Sequence, residues 1–297
     1  MPSREEARTR VADLRKRSAD QLTRATRAGQ IAYKYEGMLG SQPVSLQPLR
    51  ERMATLHRRL EKRHLESARL QELYAARLEV WANVSDKSQV QPMFIDAVAS
   101  AIGVTSAAIV LRDQNGLEVF AATSDRTARL AHDLEFVVGE GPTGDVSMGD
   151  EPIHVDETTL RTRWLRFGPM VIEQGVRAVI GVPLRQEPGE CLGALCVYAP
   201  QPVVKEPVVA ASARVADALT HTVLNLPGSI ADDQAAATSL FDEAAFHTMV
   251  NQAAGIVSVH QDCDVGDALA LLRARAFADG TPIEALAERI VRGEIGL

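Results

Sequence analysis

The chain has 297 residues, 46% of them hydrophobic and 24% charged, which suits a soluble protein of two or three domains. No apolar run is long enough to span a bilayer, and the opening Met1-Pro-Ser-Arg-Glu-Glu lacks the apolar stretch of a secretory signal. Three cysteines, an odd and low number, argue against a disulfide framework, so the expectation is a cytoplasmic protein with reduced thiols and no membrane partner. The net charge of −7 is uneven: residues 1–85 hold 17 Lys+Arg against 10 Asp+Glu, which leaves −14 for the remainder.

Residues 1–85 are rich in Arg, Glu, Ala and Leu, all good helix formers. Gly37, Gly40, Pro43 and Pro48 break the run and predict two helices joined by a turn. Leu49, Met53, Leu56 and Leu60 are spaced as a coiled-coil seam. The register fails at Arg63 and Ser67, and Leu70 and Leu73 resume it in a shifted phase. Such a pair either dimerises and relays a signal or packs as a hairpin on its own domain. The basic excess would also help attract RNA.

Residues 86–226 predict an α+β domain on a central antiparallel sheet. Phe94, Ala97, Val98 and Ile102 form an amphipathic helical stripe. Strands are expected over 106–112, 117–122, 152–156, 178–184 and 192–198. Asn115-Gly116 and Pro188-Gly189 mark turns, and a helix over 203–226 closes the unit. A linker over 227–239 follows.

Residues 240–297 predict an all-α three-helix module. Phe246, Val250, Ala253, Val257 and His260 share one helical face. Asp264 caps the next helix, with Asp267 at its third position, and Gly280 ends it. Thr281-Pro-Ile-Glu284 has the pattern of a capping box, and Ile283, Leu286, Ala287 and Ile290 face inward. Ala253, Ala254 and Gly255 suggest a close helix approach.

Two resemblances sit on these residues. Val138-Gly-Glu-Gly-Pro-Thr-Gly-Asp, Glu151-Pro-Ile-His-Val-Asp, Arg163-Trp164, Ile180-Gly-Val-Pro-Leu and Leu192-Gly-Ala-Leu resemble a GAF domain, of the kind that precedes ANTAR modules in actinobacterial proteins. The resemblance implies a ligand-binding or dimerising sensor. Proteins of this pairing often carry Cys after Gly-Pro, where this chain has Thr143. Gln252-Ala-Ala-Gly255, Ala268, Leu272-Arg-Ala-Arg-Ala276 and the stripe from Ile283 to Val291 resemble an ANTAR domain. That resemblance implies a transcription antiterminator that binds paired RNA hairpins through their loops, as a homodimer. Loops expose base edges that an A-form stem hides.

The expected RNA contacts are Asn251, Gln252, Arg273, Arg275, Arg289 and Arg292. Arg273 and Arg275 diverge by about 200° on a helix, so one should face RNA and the other a carboxylate. From Leu240 onward there are four basic residues against nine acidic ones, so binding must rely on a local patch. In the sensor unit, Phe136, Thr143, His154, Asp156 and Trp164 are candidate ligand contacts. The ligand is a small molecule of unknown class or is replaced by a partner signalling protein.

Gly139-Glu-Gly-Pro-Thr-Gly144 matches G-x-G-x-x-G, but Pro142 removes an amide and no βαβ unit surrounds it, so a glycine-shaped loop is expected. No zinc-ligand spacing and no nucleophile elbow occur, and no metal, cofactor or catalytic residue is assigned. Cys191 and Cys196, five apart, should point to opposite faces of one strand. The expectation is a regulator and not an enzyme. Two other readings stay open: a DNA-binding or protein-interaction regulator with a C-terminal helix-turn-helix, and a cysteine-dependent GAF reductase.

Overall fold

The structure is a computed structural model that describes residues 4–40, 43–84, 91–113, 118–149, 151–185, 191–224 and 248–296. The expected turns at Asn115-Gly116 and Pro188-Gly189, the linker and Phe246 lie outside the described residues. Two long helices open the chain, α1 (Arg4–Gly37) and α2 (Gln47–Asn83). The α+β unit follows as α3 (Phe94–Ile102), β1 (Ala107–Arg112), β2 (Glu118–Thr123), α4 (Arg126–Val138), α5 (Pro142–Met148), β3 (Ile153–Asp156), α6 (Glu157–Arg163), α7 (Phe167–Glu173), β4 (Ala178–Arg185), β5 (Cys191–Ala199) and α8 (Glu206–Leu224). The C-terminal module comprises α9 (Thr248–Gln261), α10 (Val265–Asp279) and α11 (Ile283–Val291).

The five strands form one sheet in the order β2-β1-β5-β4-β3, every pair antiparallel. Side chains alternate across a strand, and here both faces are apolar. Ile109, Leu111, Phe120, Ile180, Leu195 and Val197 point to a core built with α2, α3 and α8. Ala108, Val179, Ala194, Cys196 and Tyr198 point to a second core under α4 to α7. The sheet is therefore the middle of three layers.

An extra residue in β5 shifts its pairing with β4 between Pro183↔Ala194 and Arg185↔Cys191. Leu192 and Leu195, three apart, consequently pack on the same core. That bulge breaks the alternation on which the opposite-face placement of Cys191 and Cys196 depended. Both thiols, like that of Cys263, are free.

The first two helices pair as expected, but through a different seam. In α1 the buried residues are Ala7, Val11, Leu14, Ser18, Ala25, Ala28, Gly29 and Ala32, which follow a heptad. In α2, Ala54, His64, Ala68, Gln71, Ala75, Leu78 and Ala82 are buried on a similar period, and Glu66, Ser67, Leu70 and Tyr74 are buried beside them. Small residues let the two backbones approach, and Ser18 Oγ donates to the Ala68 carbonyl across the seam at 3.1 Å. The expected seam is not buried: Leu49 is 55% and Leu56 48% exposed, and Met53 and Leu60 are half-buried. The change of phase after Arg63 marks where α2 turns its apolar face to the α+β core. Leu70, Tyr74 and Leu78 join that core with Val11 and Leu14, and Tyr74 meets Phe94 edge-on at 5.6 Å. Arg63 adds a two-pronged ion pair to Asp217 of α8, with Nη2 to Oδ1 at 2.6 Å.

In the C-terminal module Asp264 caps α10 by accepting from the Asp267 amide at 2.8 Å, and Gly280 ends it at φ +62°, a conformation costly for other residues. Three expectations fail here. α11 starts after Pro282 with no side-chain cap, so Thr281 and Glu284 form no capping box. Gly255 faces open space, with nothing within 4 Å of where its Cβ would stand. His260 is exposed, because Val250, Ala253 and Val257 complete the buried face of α9 without it.

Since Leu78 lies wholly buried where α2 meets the α+β core, Leu78→Ala should cost about 2–5 kcal/mol. Urea unfolding should show one transition at a lower midpoint. A separate early transition confined to α1 and α2 would mean that the hairpin is an independent unit.

Candidate functional site

The residues with unusual environments gather around α4. This helix begins at Asp125, whose carboxylate accepts from the Ala128 amide at 2.8 Å, and Ala128 and Ala131 lay its apolar stripe on the sheet. Two polar residues share the covered side, His132 and Glu135. Three apart, they sit one above the other.

His132 Nε2 lies 3.1 Å from Glu118 Oε1, and both side chains are nearly inaccessible. Burial works against the imidazolium, but attraction and hydrogen bonding from Glu118 outweigh it, so the His132 pKa is raised. Glu135 Oε1 accepts from the Thr143 hydroxyl and from the Gly144 amide, the latter at 2.9 Å. Its Oε2 has no hydrogen-bond partner among the described residues. Burial raises the Glu135 pKa, and the two hydrogen bonds only partly offset it. Arg112 Nη2 reaches Thr143 Oγ1 at 3.4 Å and closes the cluster from β1. Beneath it lie Cys196 and Tyr198, their pKa values pushed well up by burial.

The glycine motif holds this arrangement. Gly139 ends α4 at φ +73°, and Pro142 opens α5 directly afterwards. The motif is thus a helix-to-helix turn. A Cβ on Gly141 would stand 2.6 Å from the Glu135 side chain, so only glycine lets that carboxyl lie against the turn.

The expected ligand contacts do not converge. Thr143 belongs to the buried cluster. Trp164 is buried, donating to Asp145 Oδ2 at 3.2 Å and meeting Phe167 edge-on at 5.6 Å. His154 and Asp156 are exposed on the edge strand β3; His154 borders a shallow depression with Asp145 and Arg163, while Asp156 caps α6 through the Thr159 amide. That amide bond lowers the Asp156 pKa. Phe136 leaves the α+β cores altogether: it is 5% exposed and packs with Val250, Leu269 and Leu272 of the C-terminal module.

The expected RNA contacts divide into two groups. Asn251 Nδ2 donates to the Glu118 carbonyl at 2.8 Å, and Arg273 Nε donates to the Phe136 carbonyl at 2.7 Å. The Arg273 guanidinium also lies over the Phe136 ring, 5.2 Å from its centroid, and burial lowers its pKa. Gln252, Arg275, Arg289 and Arg292 are exposed. Arg275 pairs with Asp279 at 2.7 Å, Arg289 with Glu294 at 3.9 Å, and Arg292 with Glu288. In this structure Arg275 takes a carboxylate while Arg273 takes the α+β unit.

With this geometry in place, comparison with known families is decisive for the middle of the chain. The GAF domain family model matches residues 89–223. This segment is a GAF domain. The strand order, the antiparallel sheet and the closing helix α8 all fall within it. Among solved structures, one similar chain is a domain assigned to a two-component sensor histidine kinase protein from Sinorhizobium meliloti 1021. It is 23% identical with a TM-score of 0.33, and the match covers 43% of this chain and 84% of that one. Another is the GAF domain from an Acinetobacter phosphoenolpyruvate-protein phosphotransferase, 18% identical with a TM-score of 0.31, covering 54% of this chain and 95% of that one. No curated protein matches. Among the described residues no helix is long and apolar enough to cross a membrane, and no three His, Cys, Asp or Glu side chains group as a metal site.

Sequence reading missed Arg112, Glu118, His132 and Glu135, although His132 and Glu135 at i, i+3 within an alanine stripe were a visible signal. It also missed Phe277, which is 90% exposed on α10 one turn beyond Arg273.

The buried cluster makes stability depend on pH. A raised Glu135 and a raised His132 both mean that the folded state holds protons the unfolded chain releases, so stability falls as pH rises above their ordinary values of 4.5 and 6.5. Glu135→Gln removes the buried charge and should flatten this fall. Near pH 8 its melting temperature should exceed that of the wild type by roughly 2–4 °C per kcal/mol recovered. Parallel melting curves from pH 4.5 to 8 would show that Glu135 carries no such strain.

Proposed function

We propose that the chain is a regulator in which the GAF domain senses a signal and the C-terminal module is an ANTAR-type unit that binds RNA hairpin loops in transcription antitermination. The observation that carries this reading is the face of α10 beyond its core. Phe277 presents a nearly free ring, with Arg273 one turn before it on the same side of the helix, bonded in this structure to the Phe136 carbonyl, and Arg275 on the opposite flank. Unstacked loop bases are recognised by this chemistry, an aromatic platform beside a guanidinium group. The acidic balance of the module is compatible with it. The ion pairs of Arg275, Arg289 and Arg292 are exposed, and exposed pairs hold about 0–1 kcal/mol, so a phosphate can displace the carboxylate.

A homodimer fits the same reading. Leu49 and Leu56 stand exposed in heptad spacing on α2, on the side that neither α1 nor the GAF core covers. On this reading the protein performs no catalysis.

Full-length protein should bind a paired-hairpin RNA with unpaired loops more tightly than a DNA duplex of equal charge, at every salt concentration tested. Phe277→Ala should weaken that binding by about 1–3 kcal/mol, the contribution of one base stacked on an aromatic ring. Equal affinity for looped RNA and for plain duplex, in a filter-binding or anisotropy titration, would sink the reading.

A further inference from the structure

Phe136 is the GAF side chain that belongs to the core of another unit. Its neighbours on α4, Ala128, Ala131 and Leu134, pack toward the sheet, while Phe136 completes the cluster of Val250, Ala253, Leu269 and Leu272. Arg273 then approaches the last turn of α4. The carbonyls there lack helical partners, and the helix dipole favours a cation. Arg273 meets both demands, bonding the Phe136 carbonyl at 2.7 Å and covering the Phe136 ring. Its guanidinium also stands 3.3 Å from where a Cβ on Gly139 would lie. On the other side Asn251 bonds the first residue of the edge strand β2, the Glu118 carbonyl, at 2.8 Å.

The contact is opposed as well as held. Asp133 of α4 feels the like charge of Glu284 on α11, and Arg273 feels the repulsion of Arg112 together with the attraction of Glu118 and Glu135. Close backbone approaches across the boundary are few. One apolar anchor and two hydrogen bonds, with charges across the boundary that both attract and repel, make a small contact that is helped to close because the two units share a chain. Tethering supplies an effective concentration of about millimolar order.

We propose that this contact is an inhibitory dock: the GAF domain holds the C-terminal module with Phe136 and, in doing so, occupies Asn251 and Arg273 so that they are withheld from RNA. The inference rests on the RNA-binding reading given above. It assigns the regulated step to undocking. The surface that must open is the end of α4 with the start of β2, which is also where Glu118, His132 and Glu135 are buried. A change in the packing or charge of that cluster moves the carbonyls of Glu118 and Phe136 directly. A signal shifts the equilibrium by binding the docked and open states unequally.

The test uses full-length protein, wild type and Phe136→Ala. Two readouts are taken: backbone hydrogen exchange over 126–149 and 248–291, and affinity for the paired-hairpin RNA. Phe136 packs in neither GAF core, so thermal melting of the GAF domain should be retained. The expected result is faster exchange at the end of α4 and in α9 and α10, together with RNA binding about tenfold tighter, as for release from a state docked about 90% of the time. Unchanged exchange would overturn the dock. Faster exchange with wild-type and variant binding RNA equally would overturn the inhibition and leave the RNA reading standing. Faster exchange with no RNA binding by either protein would overturn the RNA reading itself, and the inhibition with it. Should Phe136→Ala misfold, Phe136→Leu keeps an apolar anchor while removing the ring under Arg273. It should give a smaller change of the same sign in both readouts, and no change in either would overturn the dock.

Discussion

The structure depends on a sheet that is apolar on both faces. Val110, Leu111, Leu195 and Cys196 are each buried although they point to opposite sides. A sheet of this kind must be covered twice, because each exposed apolar face costs about 25 cal/mol per Å². The crossing between β2 and β4 supplies one cover, α4 to α7. The other cannot be filled by α3 and α8 alone, and α1 and α2 complete it through Val11, Leu14, Leu70, Tyr74 and Leu78. The N-terminal helices are thus physically part of the GAF core over half their length. Beyond that half they project as a hairpin whose outer leucines have no cover. A displacement of α2 relative to the sheet would have to be matched in α1, since a seam of alanines leaves no slack between them.

On the second face the cover carries charge. Placing Glu135 and the Glu118–His132 pair between α4 and the sheet is expensive, because burial penalises every charged form. The structure answers with local hydrogen bonds: the Thr143 hydroxyl, the Gly144 amide and the Glu118 carboxylate each satisfy a buried group. Thr143 is a hydrogen-bond donor to a buried carboxyl. A thiol is a weaker donor, so the residue at this point sets how comfortably Glu135 is held.

Much of the architecture was legible in the sequence, for reasons that can be named. All five strands lie where alternating or continuous apolar runs place them, and Gly280 and Asp264 mark the limits of α10 through chemistry that is local to the chain. What was illegible depended on partners distant in sequence. Leucines at heptad spacing looked like a seam, yet a seam of Ala, Ser and Gly forms between α1 and α2 because small residues at heptad spacing bring two backbones together. The chain carried both patterns, and apolarity alone ranks the leucines first. The bulge in β5 likewise moved Cys191 relative to Cys196 through pairing with β4, which no spacing within β5 reveals. Thr281 and Glu284 fit a capping box in sequence, but α11 begins one residue later and is held instead by the burial of Ile283 and Leu286.

The same logic explains why the candidate site was only partly readable. Arg273 and Asn251 carry the chemistry of a nucleic-acid contact, and nothing in the local sequence says what else might occupy them. Their alternative partners are two backbone carbonyls of the GAF domain, more than a hundred residues away. Backbone carbonyls are anonymous in sequence, whereas Phe136, which draws the two units together, resembles any apolar residue on a helix. A contact made by side-chain donors on distant backbone carbonyls therefore displays its donors in the sequence and conceals its acceptors.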